Sequence, residues 1–235
     1  MENAQPTTSA QAPISYRFIV VVAIFVTCLI TSNIIATKII AVSGLLLTAA
    51  IVIFPVSYII GDVLTEVYGY ARARQVIWLG FLGNFIAVVA IWLGGLLPAA
   101  AFWEHQAAYD AILGAAPRIL VASFLAYLVG EFANSYVLAK MKIASAGRRL
   151  WARTIGSTLV GQGLDSVIFV VVAFAGILPV KALAIAIVTQ WLVKSAYEAL
   201  ATPITYVVVG YLKRKDGVDA FDTDTRFNPL TVSGE

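Results

Sequence analysis

Charge is what this sequence has least of. Only 12% of its 235 residues are Asp, Glu, Lys or Arg, about half the share of an ordinary soluble domain. Against that, 60% are hydrophobic and the mean hydropathy is +0.89. A soluble core of this length cannot hide so much apolar surface, so lipid is the solvent that fits. Cysteine and histidine are nearly absent, with one of each, Cys28 and His105. A lone cysteine forms no intrachain disulfide, and within its apolar run Cys28 reads as a buried, inert thiol. One histidine leaves no His cluster for a metal and no Ser-His-Asp triad inside a membrane. The sequence also lacks a GxxxxGK[ST] phosphate loop, an HExxH, a CxxC and a GxGxxG after a strand. Only carboxylates remain as catalytic material, so an enzyme is not expected, and no cofactor or metal is called for.

What is there is a series of long apolar runs. Residues 1–16, rich in Ser, Thr, Gln, Ala and Pro, read as a flexible cytoplasmic tail. Six apolar segments follow, at about Phe18–Ala36, Leu45–Ile60, Val76–Leu97, Pro117–Ala139, Thr154–Gly176 and Ala182–Val209. Lengths near ~20 residues match a bilayer, and continuous rather than alternating apolar runs exclude a β-barrel. The expected fold is therefore all-α, a polytopic membrane protein with six transmembrane helices over residues 17–212 and a cytoplasmic tail over 213–235. The second segment is short, contains Pro55, and reaches full length only by absorbing Asp62 and Glu66. The sixth is long, and Pro203 is expected to kink it or end its regular part. Short or proline-interrupted spans point to a transporter's binding site; tilt or a packing kink is the plainer alternative.

Orientation follows from the basic residues. With the N-terminus inside, twelve of the sixteen Lys and Arg residues are cytoplasmic, among them Arg17, Arg72, Arg74, Lys142, Arg153 and Lys213. Lys38, Arg118 and Lys181 fall outside, and Lys194 lies within the sixth span. This makes a multi-pass protein of the bacterial inner membrane with both termini cytoplasmic. The basic stretch Lys140–Arg153 reads as an orientation signal beside anionic lipid headgroups, not as a nucleic-acid site. In the outer loop Pro98–Ala116, Trp103 and Tyr109 suit an interfacial aromatic belt.

The informative residues are those a membrane should reject, since a charge in a span costs roughly 2.5–3.5 kcal/mol on insertion scales. Asp62 and Glu66 end the second span. Glu131 and Asn134 lie in the fourth, Gln162 and Asp165 in the fifth, and Gln190, Lys194 and Glu198 in the sixth, with Asn33 in the first. Asp62 and Glu66 are four apart and share a helix face, so one of them is a candidate to hold a proton; a wet position near the interface is the alternative. Lys194 and Glu198 are also four apart, but Lys before Glu is the weaker order, so Lys194 is free to be shared with Asp165 or Glu131 on a neighbouring helix. A polar network that merely glues helices is the plainer alternative. Such glue normally uses Ser, Thr, Gly and Asn, and these carboxylates with a lysine exceed it. Gly161 and Gly163 flank Gln162 and favour close helix packing.

Three stretches carry a resemblance: FPVSYIIGDVLTEVYGYARARQVIWLGFLGN (54–84), GQGLDS (161–166) and VKSAYEALATPITY (193–206). Together they resemble the queuosine precursor transporters, vitamin-uptake-like six-helix membrane proteins. The resemblance implies import of 7-deazaguanine bases such as preQ0, preQ1 or queuine for tRNA modification, and a fold similar to the substrate-binding subunits of energy-coupling-factor importers. The partner would be a purine-like small molecule; a homodimer is left open. Such a base offers an N–H and an amino group that one carboxylate can accept together. On this reading Gln162, Asp165, Lys194 and Glu198, with Glu131, Gln190 and Asn33, bind substrate. Asp62 and Glu66 gate the exit or carry a proton, and Tyr58, Tyr68, Trp191 and Tyr197 are candidates for stacking the base. The rivals are a substrate-binding subunit that needs partner chains and a non-transporting membrane scaffold.

Overall fold

In the computed structural model, residues 14–42, 45–114, 117–223 and 225–230 are described. Among the described residues, helices predominate and one two-stranded hairpin interrupts them. Helix α1 (Tyr16–Ile35) leads to strands β1 (Ile39–Val42) and β2 (Leu45–Thr48). Then come α2 (Phe54–Tyr68), α3 (Tyr70–Leu96), α4 (Gln106–Leu113), α5 (Pro117–Ala144), α6 (Leu150–Phe174) and α7 (Val180–Asp216). The strands pair antiparallel, with Ile39 opposite Thr48 and Val42 opposite Leu45.

Local chemistry sets the boundaries. Ser15 caps α1, its Oγ accepting from the Phe18 N–H at 3.0 Å. Pro55 occupies the first turn of α2, where its missing N–H costs nothing. Gly69, at φ +85°, makes the sharp break between α2 and α3 that a side chain would resist. At the far end, α7 stops at Gly217 in the left-handed region, with Lys213, Arg214 and Lys215 in its last turn, the cationic side chains a helix C-terminus favours.

The burial pattern is that of a protein dissolved in lipid. Leu200 is 83% exposed and Trp92 62%, whereas Glu66, Arg74 and Gln162 are fully buried. Among the described residues, four helices are long and apolar enough to cross a membrane: α1, α3, α5 over Ile119–Ala144, and α6. The chain is a polytopic membrane protein. Helix α2, buried on all sides from Gly61 to Tyr68, packs against α1, α3, α5 and α7. The inward stripe of α7 runs Ser195, Glu198, Ala201, Thr202, Thr205, Val209 and Leu212, the three-to-four spacing of one helix face.

Several boundaries differ from the sequence expectation. Residues 45–52 form a strand and a 3-10 turn, so the second helix starts later and absorbs both Asp62 and Glu66. Helix α7 continues through Pro203 to residue 216: one lost hydrogen bond does not end a helix held along its inward stripe. The loop expected on the outer side contains α4, which is short and has no buried residue, so it left little apolar periodicity to read.

The segment after Gly217 folds back as a strap across the end of the bundle that holds the N-terminus of α1. The Ala220 N–H donates to Val67 O at 3.1 Å. Asp222 accepts the Tyr70 N–H at 3.0 Å and so caps α3. Arg74 donates to the carbonyls of Arg226 and Asn228, each at 2.9 Å, and the Trp78 indole to Pro229 at 2.8 Å. The Phe227 ring lies 5.0 Å from Tyr70, with the Lys140 ammonium 3.9 Å from its centre.

Helices α5 and α6 touch through glycine. A Cβ on Gly130 would fall 2.8 Å from the Tyr58 hydroxyl, 2.9 Å from the Asp165 Cβ and 3.1 Å from the Gly161 carbonyl. Gly130→Ala therefore pushes the two helices apart, with an expected loss of about 1–3 kcal/mol. Thermal melting of the purified protein by circular dichroism checks this, and a melting temperature equal to the parent's would contradict it.

Candidate functional site

The buried polar side chains fall into three levels along α6, which advances about 1.5 Å per residue. At the strap end is an ion cluster built on Glu66. Arg153 grips its carboxylate with two parallel bonds, Nε to Oε2 at 2.8 Å and Nη2 to Oε1 at 2.7 Å. Lys213 adds a third at 2.6 Å, and Lys142 stands 3.6 Å away. Lys142 also donates to the Glu66 carbonyl at 2.6 Å, to Asp219 at 2.5 Å and to the Ala220 carbonyl at 2.7 Å. A bidentate arginine is the strongest geometry open to a buried carboxylate, and Glu66 is fully satisfied.

The middle level joins four helices. From α5, Asn134 donates to Asp62 of α2 at 2.7 Å. On α6, Gln162 donates to Glu198 of α7 at 2.8 Å, and Thr158 donates to its other oxygen. Glu131 packs against Gly61, where a Cβ would collide with its carboxylate. It lies within electrostatic reach of Asp62, Glu198 and Asp165. At the outermost level Lys194 bonds Asp165, and its ammonium sits 4.6 Å from the centre of the Phe54 ring.

Within the seam, glycine precedes a buried polar residue at Gly61–Asp62, Gly130–Glu131 and Gly161–Gln162, as it does elsewhere at Gly83–Asn84 and Gly156–Ser157. Without side chains the seam glycines let α2, α5 and α6 close around the polar groups. That repeated pairing is the signal by which Gly61 and Gly130 could have been found in the sequence. Arg153, Lys142 and Lys213 gave no comparable signal, because basic residues flanking apolar spans also serve orientation.

Several polar atoms in this seam have no partner among the described residues. They are the Tyr58 hydroxyl, Asp62 Oδ2, Glu131 Oε1, Asn134 Oδ1, Gln162 Oε1 and the hydroxyls of Ser166, Ser195 and Thr205. Protein interiors leave few such groups unpaired, and each costs about 1–3 kcal/mol. They concentrate on α2, α5, α6 and α7. An open groove elsewhere, between α1, α3 and α4, is largely apolar and includes Asn33, Asn84 and Asp110. It lacks this supply of unpaired buried groups.

The comparison with known families bears on this seam. Residues 48–208 match the family described as "Putative vitamin uptake transporter". The chain belongs to this family. The matched region includes every residue named in the middle and outer levels. A relative in Bacillus subtilis (strain 168), named "Probable queuosine precursor transporter", is 33% identical over 179 residues, covering 75% of this chain and 78% of the relative. No solved structure matches the chain.

Of the residues expected from sequence, the structure gathers Tyr58, Asp62, Glu131, Gln162, Asp165, Lys194 and Glu198 at the seam. It does not bring all the expected residues there. Asn33 pairs with Asn84 of α3 at 2.9 Å. Tyr68 donates to Asp216 at 2.6 Å and packs edge-on against Phe18, at the strap end. The Trp191 indole bonds the Leu159 carbonyl at the exposed edge of α6 and α7. Tyr197 faces outward, and Gln190 lies one turn outward from Lys194. Asp62 and Glu66 share a helix face yet serve separate networks, one neutral and one cationic.

Two outcomes follow from the ion cluster. Arg153→Met removes both parallel bonds and leaves Glu66 to Lys213 and Lys142, with an expected loss of about 1–3 kcal/mol, of which Glu66→Gln combined with Arg153→Met recovers part. A double-mutant cycle on denaturation checks this; additive losses would contradict it. The second concerns Asp219 in the strap. Burial tends to raise its carboxyl, and the hydrogen bonds and charges of Lys142 and Lys213 outweigh that and hold it below its ordinary range. Such a group stabilises the fold above its unfolded pKa, roughly 3.9, and loses that contribution as pH falls through the lower folded value. Amide protection factors over 217–223 should hold from about pH 8 to pH 5 and drop below about pH 4; a drop near neutrality would contradict the assignment.

Proposed function

We propose that the protein imports 7-deazaguanine bases, precursors of queuosine, across the bacterial inner membrane for tRNA modification. The observation that carries this reading is the seam itself: a buried set of unpaired polar atoms at the meeting of four helices, inside a bundle whose outer surface is apolar. Membership in an uptake family and the name of the Bacillus subtilis relative supply the substrate class.

In this reading α2 and α7 join the four long apolar helices to make six spans over residues 17–212, in an arrangement similar to energy-coupling-factor substrate-binding subunits. Both termini are cytoplasmic. Residues 1–16 and 213–235 are the cytoplasmic tails, and the strap covers the inner end. At 37 residues α7 is about 55 Å long, so it crosses the roughly 30 Å hydrocarbon core and projects into the cytoplasm. Gln162, Asp165, Lys194 and Glu198, with Glu131, hold the base, and Tyr58 is the aromatic placed to flank it. Asp62 is the proton carrier. Glu66, locked by Arg153 and Lys213, belongs to the cytoplasmic gate, which opens when helices move around a fixed site.

The test is uptake of a labelled 7-deazaguanine base into proteoliposomes containing this protein alone, with and without a pH gradient. Saturable uptake is expected, reduced about tenfold or more in Asp165→Asn and Glu198→Gln, the effect of losing one charge-assisted hydrogen bond. Intact uptake in both variants would refute the site. Binding without uptake would assign the chain as a subunit that needs partner chains.

A further inference from the structure

The unpaired atoms of the seam are not a random mixture. Asp62 Oδ2, Glu131 Oε1, Asn134 Oδ1 and Gln162 Oε1 can only accept hydrogen bonds, at any pH where the carboxyls are ionised. All four side chains are at least 99% buried. The orientation of both amides is fixed by their nitrogens, since Asn134 Nδ2 donates to Asp62 and Gln162 Nε2 to Glu198. Their oxygens are what remain. The Tyr58, Ser166, Ser195 and Thr205 hydroxyls can adapt either way.

The nitrogen donors of the core are already directed elsewhere. Lys194 bonds Asp165, with its ammonium over the Phe54 ring. Arg153, Lys142 and Lys213 converge on Glu66 and Asp219 at the strap end. The seam thus presents four carboxyls, Asp62, Glu131, Asp165 and Glu198, against one ammonium. Glu131 and Asp62 are neighbours across α5 and α2: Asn134, which bonds Asp62, lies one turn along α5 from Glu131, and Glu131 packs on Gly61, next to Asp62 in sequence. A ligand ammonium between them would satisfy two buried carboxylate oxygens at once with charge-assisted bonds, where a nitrile could offer them nothing.

We propose that the seam selects a donor-rich cation, so that a 7-deazaguanine bearing a protonated aminomethyl arm is bound in preference to its 7-cyano counterpart, with Glu131 and Asp62 receiving the ammonium. This rests on the import reading above and narrows it to one charge class. The rings of the two bases are the same. The arm changes from a cation with three donors to an acceptor, so comparing the pair isolates the contribution of these two carboxylates. The amide and hydroxyl oxygens remain to meet the N–H groups of the pyrimidinone edge.

The experiment is isothermal titration of the purified full chain in detergent at neutral pH with the 7-aminomethyl and the 7-cyano bases. The aminomethyl base should bind at least about tenfold more tightly, the effect of one charge-assisted hydrogen bond. In Glu131→Gln and in Asp62→Asn that ratio should fall toward one. Equal affinities, or tighter binding of the cyano base, overturn the inference and leave the import reading standing. Binding of neither base overturns the import reading and the inference with it. A variant that fails to fold does not affect the outcome, because the ratio in the unaltered protein decides.

Discussion

A carboxylate surrounded by hydrocarbon has no water to turn to, so it must find its partners within the protein. The rest of this structure follows from that constraint. The helices turn Leu, Val and Trp outward to lipid and collect Asp, Glu, Gln, Asn and Lys on their inner faces, the reverse of a soluble bundle. Helix α2, at the centre, carries one acidic residue into each of two environments: Glu66 into a cluster of cations and Asp62 into the neutral company of Asn134. Four residues of sequence, about 6 Å of helix, separate a fully satisfied group from one with an oxygen to spare.

That separation gives the two ends of the polar core different work. The ion cluster ties together α2, α5, α6, α7 and the C-terminal strap through Glu66, Lys142, Arg153, Lys213 and Asp219. Breaking one of its contacts leaves a buried charge short of a partner. The seam above it is the opposite case. Its members are held in place by partial hydrogen bonding, as Gln162 and Thr158 hold Glu198, yet they retain unused valences that a solute can complete. Small residues permit this crowding, with Gly61, Gly130 and Gly161 each beside a polar residue that a neighbouring helix approaches.

Much of the seam was legible in the sequence because depth in an apolar run can be counted along the chain. Asp165, Gln162, Lys194 and Glu198 lie far from any loop, and the pairing of Lys194 with Asp165 was among the alternatives its position allowed. What could not be counted was which way a residue faces across helices. Glu66 looked like the twin of Asp62 because both share a helix face; its true partners came from basic residues 76 to 147 positions away. Trp191, Tyr197 and Asn33 had suitable chemistry, but packing turned them to the lipid-facing edge or to α3. The hairpin escaped because Leu45–Thr48 is as apolar as a helix would be, and apolar runs of that length do not distinguish the two.

The central claim is that the seam between α2, α5, α6 and α7 receives the transported solute. Ser166 tests it directly, since its buried hydroxyl lies on the face of α6 that carries Gln162 and has no partner among the described residues. With Cys28 replaced by alanine, Ser166→Cys would be the chain's single thiol, and its alkylation rate in proteoliposomes can be followed with and without a saturating 7-deazaguanine base. The account predicts that the base slows labelling at this position and leaves a control thiol at Thr37, at the exposed end of α1, unaffected. Labelling at Ser166→Cys that proceeds at the same rate with and without the base would contradict it.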